Sequence, residues 1–205
     1  TPTWPAAAAF SYPMGIGHAV TRTVRDSAAI LDAISGPLAG DPYPSPPAPA
    51  AGSFLAALEQ EAPTLRIGFS TISPNGNEIH PAAVEAILRT ARMLESLGHE
   101  VTEGSPTWDY AMPANSLAMV MGAAGAKTVE DRLAELGREI RDDDIEPFTR
   151  FLHDRMLAIS PLRLVEALQQ IEIVSRDVAR FYDAHDVWLT STLPVPVPEL
   201  GVIDT

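Results

Sequence analysis

Cysteine is absent from the 205 residues, which removes disulfides, thiolate metal sites and a cysteine nucleophile together. Lysine is nearly absent too: Lys127 stands alone beside 13 arginines, and no two serines are adjacent. The longest apolar runs, such as residues 117–126, fall far short of the roughly 18 residues that suggest a membrane span, so no membrane partner is expected. A net charge of −13 with scattered arginines opposes nucleic-acid binding, because affinity for phosphate backbones comes from clustered Lys and Arg. No charged-then-apolar leader is seen ahead of Thr1, and with no cysteine the cytoplasm is the default setting.

What is present is a chain able to fold. The apolar fraction of 46% can fill the core of one sizeable domain. Residues 1–9 read as loop. From His18 onward a helix is signalled, with Thr23 and Asp26 spaced as a capping pair, Val24, Ala28, Leu31 and Ile34 on one face, and Gly36-Pro37 as its stop. Arg22 and Asp26 are spaced for an ion pair. The proline-rich stretch 36–52 reads as an extended surface excursion rather than a domain linker.

Residues 54–58 begin a short helix, and Leu65, Ile67 and Phe69 alternate as a strand does. After a turn at residues 74–77, Pro81 opens a helix with Val84, Ile87, Leu88, Ala91, Leu94 and Leu97 on a 3.6-residue period, and a second strand follows at residues 99–102. Strand, amphipathic helix, strand is a βαβ unit and implies neighbouring parallel strands.

Residues 111–137 predict a helix rich in small side chains, from Gly122 to Ala126, which permit close approach by another helix or a ligand. Asp142, Asp143 and Asp144 are expected as the solvated, dipole-matched start of a helix through Phe148, Leu152 and Met156. Ser160-Pro161 is expected to cap a long helix with Leu164, Leu168, Ile171, Val174, Val178 and Phe181 inward, and residues 186–190 to form a buried strand.

Chemistry is harder to place. None of the five histidines, His18, His80, His99, His153 and His185, has a second one at helical ligand spacing, so no metal site and no cofactor is expected. His153 with Asp154, and His185 with Asp183 and Asp186, read as solvated helix ends that place carboxylates beside an imidazole. The strained Gly-x-Ser-x-Gly elbow of triad hydrolases is missing, and Gly15-Ile-Gly17-His is a weak match to a phosphate loop.

Four stretches carry a resemblance. Gly17-His-Ala-Val-Thr-Arg-Thr-Val-Arg-Asp26 through Pro37, with Gly40-Asp-Pro-Tyr43, resembles the segment that follows the catalytic region in amidase signature enzymes. Leu65-Arg-Ile-Gly68, His80-Pro81 through Leu94-Glu-Ser-Leu-Gly-His-Glu-Val101, and Asp186-Val-Trp-Leu-Thr-Ser-Thr-Leu-Pro194 follow in the order and spacing of that family. Together with Gly137-Arg138, the acidic cluster and Glu146-Pro147, the pattern is most similar to the 6-aminohexanoate cyclic dimer hydrolase-like subgroup. It covers roughly residues 13–201.

The resemblance implies an α/β protein with a partial amidase signature fold, a mixed β-sheet flanked by helices, in which residues 1–205 form the C-terminal portion of one amidase signature domain. It also implies hydrolysis of a linear or cyclic carboxamide through a serine acyl-enzyme, a neutral lysine activating a bridging serine and then the nucleophile. This chain departs there. The Gly-Gly-Ser-Ser-Gly-Gly type loop and its lysine are not found, Lys127 lies elsewhere in the order, and no catalytic residue carries over.

The expected contribution is therefore scaffold and walls of the pocket for a small-molecule amide. Trp108, Asn115, Met119 and Met121 are the candidate substrate-binding residues, ordinary helix packing being the alternative. Thr190 and Thr192 stand at a strand end where open α/β sheets approach ligands, with satisfaction of backbone groups as the alternative. A competing expectation is a non-catalytic binding or assembly module that self-associates through an exposed sheet edge. A small-molecule binder of the periplasmic type shares only the coarse βαβ pattern.

Overall fold

The computed structural model describes residues 17–37, 39, 47–74, 76–109 and 111–202. The opening loop, Gly15 and Ile16, residues 38 and 40–46 of the proline-rich stretch, which include Gly40-Asp-Pro-Tyr43, and Asn75 lie outside them. The chain divides into two compact units, residues 1–63 and 64–205.

In the first unit, helix α1 is Val24–Ile34, and the Thr23 hydroxyl accepts the Asp26 N–H at 3.0 Å as the spacing predicts. Ser35 N–H closes the helix on the Leu31 carbonyl before Gly36. Helix α2, Phe54–Ala57, is only four residues and is held by acceptors at its start. The Asp32 carboxylate takes the Phe54 and Leu55 N–H groups at 2.7 and 3.0 Å, and Ser53 takes that of Ala56. A carboxylate there satisfies orphan donors and meets the positive end of the helix. Ala28 is buried, but Val24 and Ile34 are exposed. Arg25 of α1 is bonded to Glu59 at 2.7 Å, and among the described residues no ion pair joins Arg22 to Asp26.

The second unit holds a three-stranded sheet in the order β2-β1-β3, with β1 Arg66–Phe69, β2 Glu100–Glu103 and β3 Val187–Leu189. All three strands are parallel, Ile67 standing opposite Val101 and Val187. The antiparallel member that a mixed sheet requires is not among the described strands. Helix α3, Pro81–Ser96, forms the βαβ crossover and buries Ile87 and Ala91; it stops one residue short of Leu97, which is exposed. Strand β1 does not show simple alternation, because Ile67 and Gly68 are both buried. A central parallel strand is covered on both faces.

The cover over Gly68 is Phe181. A Cβ on Gly68 would collide with Phe181 Cζ, and the same ring stacks on His185 at 4.1 Å and 6°. Glycine is required here for close approach. At the start of β1, Arg66 and Asp186 exchange bonds reciprocally. The Arg66 backbone N–H and guanidinium donate to the Asp186 carboxylate, at 2.8 and 2.7 Å, while Asp186 N–H donates to the Arg66 carbonyl.

The remaining helices are α4 Ala111–Leu136, α5 Pro147–Leu157 and α6 Pro161–Phe181. Val120 of α4 packs with Ala167 and Ile171 of α6, flanked by Met119, Leu164 and Leu168. Gly122 lets α5 approach: a Cβ there would meet Met156 Sδ at 2.9 Å. Three expectations change. Asp144 does not serve the dipole of α5, whose cap is Glu146; it turns back to accept from both Arg138 amino groups at 2.6 and 2.7 Å and from Arg141 N–H. The Arg138 bond holds its carboxyl well below the usual range. Ser160 precedes α6 without a side-chain cap bond, Pro161 supplying the start. Strand β3 is partly exposed rather than buried, with Val187 at 39%.

Two outcomes follow from β1. Gly68→Ala loses about 1–3 kcal/mol in urea unfolding, and pairing it with Phe181→Leu recovers part of that loss. Asp186 is lowered from 3.8 to about 2 by the Arg66 bonds, so its contribution is complete above pH 3.8 and drains away as pH falls toward 2. Asp186→Asn flattens acid unfolding over that window.

Candidate functional site

Parallel strands send their following loops to one end of the sheet, where backbone groups past the last pair are free to meet a ligand. A cavity of about 340 Å³ opens there, between the loop after β1 and residues 103–108 after β2. Gly104 N–H donates to the Phe69 carbonyl at 2.9 Å, and Ser70 N–H to that of Leu189 at 3.3 Å, so both loops leave the sheet from fixed points. Gly76 holds φ at +75° and closes a turn on the Ser73 carbonyl, a conformation open to glycine.

The cavity walls combine Phe69, Ile72, Pro74, Pro106 and Trp108 with the hydroxyls of Ser70, Ser105 and Thr107. Trp108 meets Trp188 edge-on, with centroids 6.2 Å apart and planes at 86°. The buried Trp188 Nε1 has no hydrogen-bond partner. Ser70 Oγ is spent locally: it donates to the Ile72 carbonyl at 2.9 Å and accepts the Ile72 N–H at 3.2 Å. No histidine or lysine stands among the described lining residues; the titratable side chain among them is the Glu103 carboxylate.

Of the four candidate pocket residues, Trp108 lines this cavity. Asn115, Met119 and Met121 lie along α4 and are not among its walls. Met119 packs on the Val120, Ala167 and Ile171 cluster, while Asn115 and Met121 are exposed. The four are not brought together. Thr190 and Thr192 are exposed just past β3. Lys127 is taken up by its own helix, its ammonium lying 2.5 and 2.6 Å from the two Asp131 oxygens one turn on.

A second cluster lies between α4 and α5. His153 is not a solvated helix end: its side chain is 4% exposed, with Nε2 at 2.8 Å from Glu130 and Nδ1 at 3.0 Å from Asp154. Burial works against the imidazolium, but the bonds to Asp154 and Glu130 outweigh it and raise the pKa above 6.5. Arg150 shares the Asp154 carboxylate at 3.1 Å. His185 likewise departs from that expectation, stacked on Phe181 with Nε2 3.4 Å from Thr102 Oγ1. Among the described residues, no three or more His, Asp or Glu gather as metal ligands. No helix among them is long and apolar enough to cross a membrane.

Sequence reasoning did not single out Ser70, Glu103 or Glu130. Adjacency flagged His153 with Asp154, but Glu130 reaches the imidazole from another helix and no local spacing announces it.

The family model described as Amidase matches residues 10–205. The putative amidase AmiA2 of Mycobacterium tuberculosis (strain ATCC 25618 / H37Rv) is 30% identical over 214 residues, covering 98% of this chain and 40% of that protein. The 6-aminohexanoate-cyclic-dimer hydrolase of Pseudomonas sp. (strain NK87) is 26% identical over 184 residues, covering 88% of this chain and 37% of that one. A solved structure of 6-aminohexanoate cyclic dimer hydrolase complexed with substrate matches with a TM-score of 0.80 at 26% identity, over 88% of this chain and 38% of its own. The chain thus spans about two fifths of the length of these relatives.

The His153 cluster generates one outcome. Because the folded pKa is raised, its stabilisation is complete below 6.5 and is lost as pH rises through the folded value. Urea midpoints of the native chain fall across that rise, and His153→Gln removes the pH step.

Proposed function

This chain belongs to the amidase family, and we propose that its 205 residues form the C-terminal portion of one amidase signature domain that hydrolyses a linear or cyclic carboxamide. In this reading the chain supplies scaffold and a substrate wall, with Trp108 the foremost of the four candidates and Asn115, Met119 and Met121 contributing from α4. The lysine and paired serines that form and resolve the acyl-enzyme come from polypeptide beyond these residues. A cytoplasmic setting fits the cysteine-free composition, and the charge of −13 fits a small-molecule substrate rather than nucleic acid.

One observation carries the reading. The family match runs through residues 10–205, yet the chain has no adjacent serines and its single lysine is ion-paired to Asp131 on an exposed helix face. Lys127 thus faces a carboxylate of its own helix and not a serine hydroxyl. The family chemistry needs a neutral amine beside a serine.

A second reading, an assembly module, is favoured by the outer edge of β3, which has no paired strand among the described residues, and by exposed Leu193, Val195 and Val197 after it. Sedimentation separates the two, since an assembly module self-associates at micromolar concentration whether or not an amide is present.

The isolated chain is expected to leave 6-aminohexanoate cyclic dimer and a simple linear amide intact. A fusion that supplies a lysine and serine-pair segment ahead of it hydrolyses one of them, and replacing that lysine by alanine abolishes turnover. Turnover by the isolated chain that survives Lys127→Ala overturns the proposal.

A further inference from the structure

The cavity at the end of β1 and β2 has one charged wall. Glu103 is the last residue of β2, its side chain is exposed, and it lines the cavity together with Trp108. The other acidic groups singled out above are already engaged: Asp186 by Arg66, Asp144 by Arg138, Asp131 by Lys127 and Asp154 by Arg150. Glu103 has no ion pair among the described residues, and no arginine, lysine or histidine stands among the described walls to neutralise it. An anionic ligand would therefore meet an uncompensated carboxylate.

The rest of the cavity fits an apolar body. Phe69, Ile72, Pro74, Pro106 and Trp108 present carbon surface, and Ser105 and Thr107 add hydroxyl-bearing residues to the lining. An ammonium group brings three donors and needs acceptors only. An indole wall adds attraction for a cation that it does not offer a neutral alcohol. A volume of about 340 Å³ matches a small organic molecule rather than a metal ion. The charge of −13 concentrates cations near the surface.

We propose that this cavity is a subsite for a small primary ammonium carrying an apolar chain, with Glu103 its counter-ion and Trp108 the wall along its chain. The proposal deepens the amidase reading and rests on it for its role: an amine is what carboxamide hydrolysis releases, and a substrate bearing a second, charged amine would be oriented by the same contact. The binding itself belongs to these residues alone.

The test is an NMR titration of the native 205-residue chain with hexylammonium, hexan-1-ol and hexanoate at equal ionic strength. Hexylammonium is expected to bind about fivefold more tightly than the alcohol, and the alcohol more tightly than hexanoate, with shifts confined to residues 69–74 and 103–108. Glu103→Gln brings hexylammonium and hexan-1-ol together, while Glu100→Gln, on the same strand but outside the cavity, leaves the preference intact. Should Glu103→Gln not fold, Ser105→Lys places a rival ammonium at the rim and removes hexylammonium binding instead. Equal binding of the three ligands, a preference that survives Glu103→Gln, shifts spread over the acidic surface, or no binding at all overturns the proposal. None of these results alters turnover by the fusion described above, and a fusion without turnover leaves the binding result standing.

Discussion

The larger unit depends on one constraint: β1 must be flanked on both sides by parallel strands that arrive from distant parts of the chain. Parallel neighbours cannot be joined by a tight turn, so each needs a crossover. The first is α3 alone; the second takes in α4, α5 and α6. The strand that accepts both is four residues long, and it secures its place by chemistry at two of them. At one end Arg66 and Asp186 trade backbone and side-chain bonds, and further along Gly68 gives up its side chain so that Phe181 can lie against the backbone. Because all three strands run one way, their following loops gather at a single end, and the cavity is the space between two of them.

Charge is handled in two different ways. Within the helices and at β1 the carboxylates are matched locally, by Arg66, Arg138, Lys127 and Arg150 at distances of 2.5–3.1 Å. Such exposed pairs add little stability individually, but they fix geometry, as the Asp144 loop before α5 shows. Glu103 stands apart from that pattern, at a strand end and in a concave wall. The buried His153 is the opposite case, an imidazole whose pKa is raised by Asp154 of its own helix and Glu130 of the facing one despite its loss of solvent.

Much of this was legible in the sequence because the signals were local. The Thr23 cap, the Pro81 start, the 3.6-residue period through Ile87 and Ala91 and the α6 stripe ending in Phe181 all rest on neighbours a few residues apart, and each element stands where its pattern put it. The family, too, was readable, because its segments keep their order and wording along the chain. What stayed hidden was contact across distance. Asp32 capping α2, Asp144 turning back to Arg138 and Glu130 meeting His153 join residues whose spacing encodes nothing. The same holds for the site: Trp108 was named as a pocket candidate beside the small-residue helix, whereas Glu103 acquires its meaning only when two loops enclose it.

The reciprocal grip between Arg66 and Asp186 sets a timetable for biosynthesis. Those partners are separated by 120 positions, so at ~5–20 residues per second a ribosome needs roughly ten seconds to deliver the second after the first. Throughout that interval one flank of β1 offers bare amides and carbonyls to any passing strand. The flank of β1 that β3 covers is therefore the last part of the sheet to be completed.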